Sequence, residues 1–528
     1  MPTRRDVLAR LAALSALTAL PRSWGMRAPT DPLDGTIADY VAGLRRGEWT
    51  AEEVTRRALE RCRRDGAAWR AIDALAGTAL AEARAADLRR RAGTSLGALD
   101  GVPVFAKSIY DMQGLPTTGS SAEWAYLFPA PLGRDALEVR RLRAAGAIVL
   151  GKTAADDFAY RGVGTSTHTG QVANPFDPSG TRTPGGSSAG SAVAVADGMA
   201  FAALGTDDGG SNRIPAVCTG VVGMKPTFGL VPRTGVIPTW PYLDTHGPLA
   251  RTVADAALLL AAIAGPDASD PLALTAPFDA SPLHELRDDA LAGVRLGVVE
   301  AHVPRGQMSA EAVAMWDRAL SDLAAAGAEL VPFAPAVTLA TYRDAFRAAA
   351  EQRGDVAPDP RAPAVTANAL LQYFQGRSAD PRGELRRGYD AYRAYYDVLP
   401  DPWEACEPLL ERPMTEDAAG RSFARSREAV VGDLRASLER AGVAAMVYPT
   451  MPFNAFVLAE GWPDIRTPLG YGNWLGLPEV SVPAGLGADG LPALSLSVAG
   501  MPGADARVLA LAHAYERQSR RFVAPRPT

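Results

Sequence analysis

Pro184-Gly185-Gly186-Ser187-Ser188-Ala189-Gly190-Ser191-Ala192-Val193-Ala194-Val195-Ala196 opens the stretch that decides how this chain is read. It continues through Leu204-Gly205-Thr206-Asp207-Asp208-Gly209-Gly210-Ser211-Asn212-Arg213 to Gly223-Met224-Lys225-Pro226-Thr227-Phe228-Gly229. The order is a glycine- and serine-rich loop, a helix of small residues, a strand running into Gly205, and a second glycine loop around Ser211. Glycines in such loops let the backbone approach a ligand and let several N–H groups point into one cavity. Acyl-transfer chemistry needs a cradle of that kind for its tetrahedral intermediate.

The flanking sequence places the loops on an alternating scaffold. Gly101 to Lys107 reads as a short apolar strand ending in a polar residue, and Ala144 to Gly151 as a second buried strand after a helix ending near Arg143. Helical periodicity is expected over Ile37 to Leu44, Ala51 to Cys62 and Ala74 to Arg91, with Thr50-Ala51-Glu52-Glu53 in the form of a capping box. Strands alternating with helices, and strands that are apolar throughout, predict an α/β fold. The expectation is a single large domain whose mixed, mostly parallel β-sheet lies between helical layers. Residues 300–450 are richer in helix, proline and aromatics and read as a variable segment of that domain. Tyr389, Tyr392, Tyr395 and Tyr396 form a helical stripe there, read as core rather than pocket wall.

Three chemistries compete for the motifs. Gly146 to Thr153 matches G-x4-G-K-[ST], but its middle residues Ala147, Ile148, Val149 and Leu150 make a buried strand where a phosphate loop needs a turn. Gly186-Ser187-Ser188-Ala189-Gly190 matches the nucleophile elbow G-x-S-x-G with Ser188 central. That motif needs a preceding strand, and Asp177 to Pro184 is loop. The third reading, Ser–Ser–Lys, needs no histidine. Here PGGSSAGSA, GTDDGGSNRIPA and VVGMKPTFGLVP resemble successive parts of the amidase signature, and GVPVFAKSIYDMQGLPTTGSS resembles that family's lysine segment. LDTHGPLARTVADAALLLAAIAG and GLPEVSVPAGLGADGLPALSLSVAG resemble its later stretches.

The resemblance implies Ser211 as nucleophile, Ser187 as proton relay held by a cis peptide, and Lys107 as base. The oxyanion would rest on the backbone N–H groups of Asp208, Gly209, Gly210 and Ser211. Asp207 and Arg213 are expected to brace the loop as an ion pair, with Ser188 in support. The implied fold is one mixed sheet of about eleven strands. The implied reaction is hydrolysis of a carboxylic amide to acid plus ammonia or amine through a seryl acyl-enzyme, with no cofactor. An esterase or carbamate hydrolase using the same site, a glutamine-hydrolysing component of an amidotransferase, and a binding protein with an inert site stay as alternatives. Asp208 stands where the family often carries a small or apolar residue, Asn212 where isoleucine is frequent, and Ser108 where aspartate commonly follows the lysine.

Composition narrows the partners. The chain has 528 residues, 47% of them apolar, and a net charge of −5, enough for a large core and without a basic footprint for nucleic acid. Cys62, Cys218 and Cys406, and the five histidines, are scattered, so neither a disulfide framework nor a metal site is expected. Of 54 basic residues only Lys107, Lys152 and Lys225 are lysine. Arginine stays charged at any working pH whereas a buried lysine can lose its proton. The expected partner is a small-molecule amide, with no stable membrane insertion; a homodimer is compatible with the composition. Residues 1–28 read as an export signal. Arg4-Arg5 precede a short apolar run, Leu11 to Leu20, in twin-arginine style, which predicts a periplasmic or extracellular location for residues 29–528.

Overall fold

The computed structural model describes residues 31–465 and 467–525; the expected export signal lies outside them. Its strands are β1 (Ile72–Leu75), β2 (Pro103–Lys107), β3 (Ile148–Thr153), the hairpin β4 (Thr165–Ser166) and β5 (Gly170–Gln171), β6 (Ala202–Asp207), β7 (Val222–Lys225) and β8 (Thr245–Ala250). Then come β9 (Arg295–Val298), β10 (Glu329–Pro332), β11 (Ala445–Pro449), β12 (Glu479–Pro483) and β13 (Ser495–Ala499). Eleven of them form one sheet in the order β1-β3-β2-β6-β8-β7-β12-β13-β11-β9-β10. The sheet is mixed. β2 runs parallel to both β3 and β6, β9 runs parallel to both β10 and β11, and the strands between these wings pair antiparallel.

Residue pattern explains the layers. All five residues of β2 and all six of β3 are buried, as strands covered on both faces must be. The helix Ala189–Ala196 is buried along its whole length and is built of Ala, Gly, Ser and Val. That composition allows close approach. A Cβ on Gly190 would sit 2.3 Å from the Ala71 carbonyl oxygen and 2.5 Å from that of Ala154. The helix Val253–Ile263, apolar nearly all round, is capped by Thr252 Oγ1 accepting from the Asp255 N–H at 3.1 Å. The predicted capping box is reciprocal: Thr50 Oγ1 accepts from the Glu53 N–H, and the Glu53 carboxylate accepts from the Thr50 N–H.

Two boundaries move. The helix expected from Ala74 begins at Ala79, because Ile72–Leu75 pairs antiparallel with β3 and closes one edge of the sheet. The second buried strand starts at Ile148 and continues through Gly151 to Thr153. Residues 300–450 supply five long helices, Ala310–Ala325, Tyr342–Arg353, Pro363–Gln375, Pro381–Arg393 and Ala418–Ala441. Among the described residues no helix is long and apolar enough to cross a membrane.

Candidate active site

β2 and β6 lie side by side and parallel, with Ala106 opposite Leu204, so both deliver their polar C-terminal residues to one end of the sheet. Open α/β sheets bind ligands at such ends. Lys107, the last residue of β2, is fully buried, and its Nζ donates to Ser187 Oγ at 2.7 Å and to Thr206 Oγ1 at 2.9 Å. Burial lowers its pKa from 10.5 to about 8, although Asp208 and other nearby carboxylates pull the other way. A lysine so placed gives up its proton far more readily than a free one. The Gly186–Ser187 peptide is cis.

Ser187 is fully buried, while Ser211 retains 6% exposure. The two serine segments are tied through the backbone, the Ser188 N–H donating to the Ser211 carbonyl at 3.1 Å. The structure places Lys107 on Ser187; it records no hydrogen bond between the hydroxyls of Ser187 and Ser211.

The loop carrying Ser211 is held by one buried ion network. Arg213 Nε and Nη2 donate to the two oxygens of Asp207 at 3.0 and 2.9 Å, and Nη1 donates to Glu479 at 2.7 Å. Arg213 also reaches the Leu469 carbonyl and Asn473 Oδ1. Burial alone would raise the Asp207 carboxyl, but the Arg213 charge and hydrogen bonds hold it down at about 2. Its oxygens accept from the Gly210 N–H at 2.7 Å and the Asn212 N–H at 3.2 Å. Gly210 makes the turn at φ 122°, a region other residues avoid.

The bonding narrows the expected oxyanion cradle. The Gly210 N–H is already taken by Asp207. The amides of Asp208, Gly209 and Ser211 are the members of that expected cradle not spent in this way, and Gly209 is exposed.

Several other candidates resolve into structural roles. Ser188 is fully buried, and its hydroxyl donates to Asn212 Oδ1 at 3.1 Å and to the Thr206 carbonyl at 3.3 Å. Among the described residues no histidine is hydrogen-bonded to Ser187, Ser188 or Ser211. His246 is bound to Glu138 at 2.5 Å and His513 to Asp288 at 2.9 Å. Lys152 donates to the Pro116 carbonyl from within a buried strand, which removes the phosphate-loop reading. All three lysines are fully buried. The Asn212 amide nitrogen donates to Met224 O at 3.0 Å, and Ser108 shares a hydrogen bond with Ser120. Tyr389, Tyr392 and Tyr396 are buried with their hydroxyls on the carbonyls of Pro400, Pro238 and Phe158. Cys218 is a buried filler.

Three residues of the site escaped the sequence reading. Thr206 gives Lys107 its second acceptor. Asp156 accepts the Thr165 N–H at 2.7 Å, while its own N–H donates to the Ser187 carbonyl at 3.2 Å. Glu479 completes the Arg213 network from 266 residues away. Thr206 lies inside the quoted glycine block, where its position before Asp207 was a usable signal; Asp156 and Glu479 are joined to the site only by the fold.

Comparison with known proteins bears on the family and the fold. The family model "Amidase" matches residues 53–509. The chain is 37% identical over 512 residues to a glutamyl-tRNA(Gln) amidotransferase subunit of Myxococcus xanthus, covering 92% of this chain and 97% of that one. The native peptide amidase of Stenotrophomonas maltophilia superimposes with a TM-score of 0.76 at 30% identity, covering 93% of this chain and 98% of that one. The corresponding amidotransferase subunit of Thermotoga maritima gives 0.68 at 25% identity, covering 95% and 99%. Matched in sequence and in fold along most of its length, the chain belongs to the amidase family.

Proposed function

We propose that this amidase hydrolyses linear carboxamides through a seryl acyl-enzyme, with Ser211 as nucleophile, Ser187 as relay and Lys107 as base. The observation that carries this reading is the 2.7 Å bond between a fully buried lysine and Ser187, on a segment tied to that of Ser211, which keeps 6% exposure. A serine hydroxyl must lose its proton as it attacks. When Lys107 is neutral, the Ser187 hydroxyl donates into the Nζ lone pair and takes the Ser211 proton in turn. The Ser211 hydroxyl turns onto Ser187 when substrate seats, since catalytic hydrogen bonds tighten in the complex. Attack forms the Ser211–acyl bond and puts negative charge on the carbonyl oxygen, which the free amides of the Asp208–Ser211 loop receive. The proton held by Lys107 returns through Ser187 to the nitrogen as the C–N bond breaks. Water then attacks the ester by the same path and frees the acid and Ser211.

The relatives named as glutamyl-tRNA(Gln) amidotransferase subunits support a second reading, in which glutamine is the amide and ammonia is passed to a partner. The export signal read at Arg4-Arg5 favours the free hydrolase and a location outside the cytoplasm. A panel of simple amides, esters, carbamates and glutamine, with ammonia and amine detection, separates these readings; turnover of glutamine alone contradicts the free amidase. A serine-directed fluorophosphonate should label Ser211, located by peptide mapping. Labelling at Ser188 with full activity in Ser211→Ala overturns the assignment.

A further inference from the structure

Asp208 and Asp244 meet just beyond the end of a strand pair. Thr206 lies opposite His246 and Asp207 opposite Thr245, so the next residues outward are Asp208 and Asp244. Side chains alternate along a strand. Asp207 turns to Arg213 on one face, while Asp208 continues the face on which Thr206 takes the Lys107 hydrogen bond. The electrostatic neighbours of Asp208 are the ones this placement requires, Asp244 and Lys107.

Both carboxylates are more than nine-tenths buried, Asp208 at 8% exposure and Asp244 at 2%. Among the described residues no side chain donates a hydrogen bond to Asp208, and none forms an ion pair with it. Asp244 Oδ1 has no hydrogen-bond partner, and its Oδ2 is 3.7 Å from His246 Nε2. His246 is itself shared with Glu138. Two carboxylates, Glu138 and Asp244, thus stand at one imidazole, and Asp208 follows Asp244 at the end of the strand pair.

The other nearby groups are committed. Lys107 Nζ is spent on Ser187 and Thr206. Tyr392 and Tyr396, which feel the Asp208 charge, hold their hydroxyls on backbone carbonyls. Asp244 also borders a cavity of about 420 Å³, whose arginines Arg134 and Arg233 are held by Asp111 and Asp270. Among the described residues no group of His, Cys, Asp or Glu is arranged to hold a metal ion. Asp208 feels the Lys107 charge but bonds to no cation, and burial beside Asp244 pushes its carboxyl up to about 7; a cation arriving in direct contact removes that cost.

We propose that the substrate carries a cationic group, a primary ammonium or a guanidinium, a few bonds from the scissile amide, and that Asp208, backed by Asp244, receives it. This rests on the amidase reading above and names the substrate class for the same site. Asn212, the other departure flanking Ser211, is spent on Ser188 and Met224 and takes no part in this selection.

The test pairs aminoalkyl carboxamides with isosteres in which methyl replaces ammonium, over a short range of spacer lengths. The wild-type enzyme should favour the ammonium member by roughly tenfold or more in kcat/KM, with most of the difference in KM. In Asp208→Asn that ratio should collapse towards unity, whatever the absolute rate. A wild-type measurement stands independent of any folding defect in the variant: butylammonium should compete with the methyl-ended amide, and butanol at the same concentration should not. No preference in the wild type, an unchanged ratio in Asp208→Asn, or equal inhibition by butylammonium and butanol overturns the proposal. If instead no amide is turned over and fluorophosphonate does not label Ser211, the amidase reading itself fails and this inference falls with it.

Discussion

At the scale of single residues, the informative choice is lysine over arginine. The chain uses lysine at three positions, and all three are fully buried. Burial brings Lys107 down to about 8 and Lys225 to about 7, which no arginine can match. The base works when deprotonated, so kcat/KM on a neutral amide should rise as pH passes about 8 and level off above it. The Asp208 carboxylate favours the charged form of Lys107. Asp208→Asn should therefore move the midpoint of that rise to lower pH. A pH–rate profile of both enzymes checks this; a midpoint near about 6.5, or no movement in the variant, points to another base. Lys107, Ser187 and Ser211 were legible because they sit in short contiguous motifs. The lack of a partner for Asp208 was not, since it depends on what Arg213 and Lys107 do with their own donors.

At the scale of elements, the loop from Asp207 to Arg213 owes its shape to buried charge. Asp207, Arg213 and Glu479 are all fully buried. Removing the cation from such a network costs about 3–5 kcal/mol, because the carboxylates are left uncompensated. Arg213→Met should lower unfolding stability by about that amount in urea titration; a loss under about 1 kcal/mol would mean the network is not what holds the loop. The adjacent serines should also separate. Ser187→Ala should cost on the order of a hundredfold or more in kcat, whereas Ser188→Ala should act mainly through stability, having lost bonds to Asn212 and Thr206. Equal losses in kcat at equal stability contradict that division. The Asp207–Arg213 pair could be anticipated from their closeness in sequence; Glu479 could not, since a sheet neighbour brings it in. The same physics misplaced the start of the helix at Ala74. Ile72 to Leu75 has a composition that suits a helix, and pairing with β3 overrides it.

At the scale of the whole molecule, the alternation of strands and helices and the apolar character of β2 and β3 made one large α/β domain legible in the sequence. Strand order was not legible. β12 and β13 join the sheet beside β7 and β11, and pairings between segments so far apart in the chain leave no periodicity in the sequence. The export reading belongs to this scale too. Fractionation of the native host should place the protein outside the cytoplasm, and replacing Arg4 and Arg5 by lysine should retain it inside; unchanged export in that variant removes the twin-arginine reading.

The proton path from Ser211 through Ser187 to Lys107 is tested most directly by the kcat of Lys107→Arg on a neutral amide. Arginine keeps the charge and roughly the bulk but cannot be deprotonated at working pH. With the fold intact by circular dichroism, kcat should fall on the order of a hundredfold or more, and acyl-enzyme formation with it. A near-normal kcat in Lys107→Arg would contradict the Ser–Ser–Lys assignment outright.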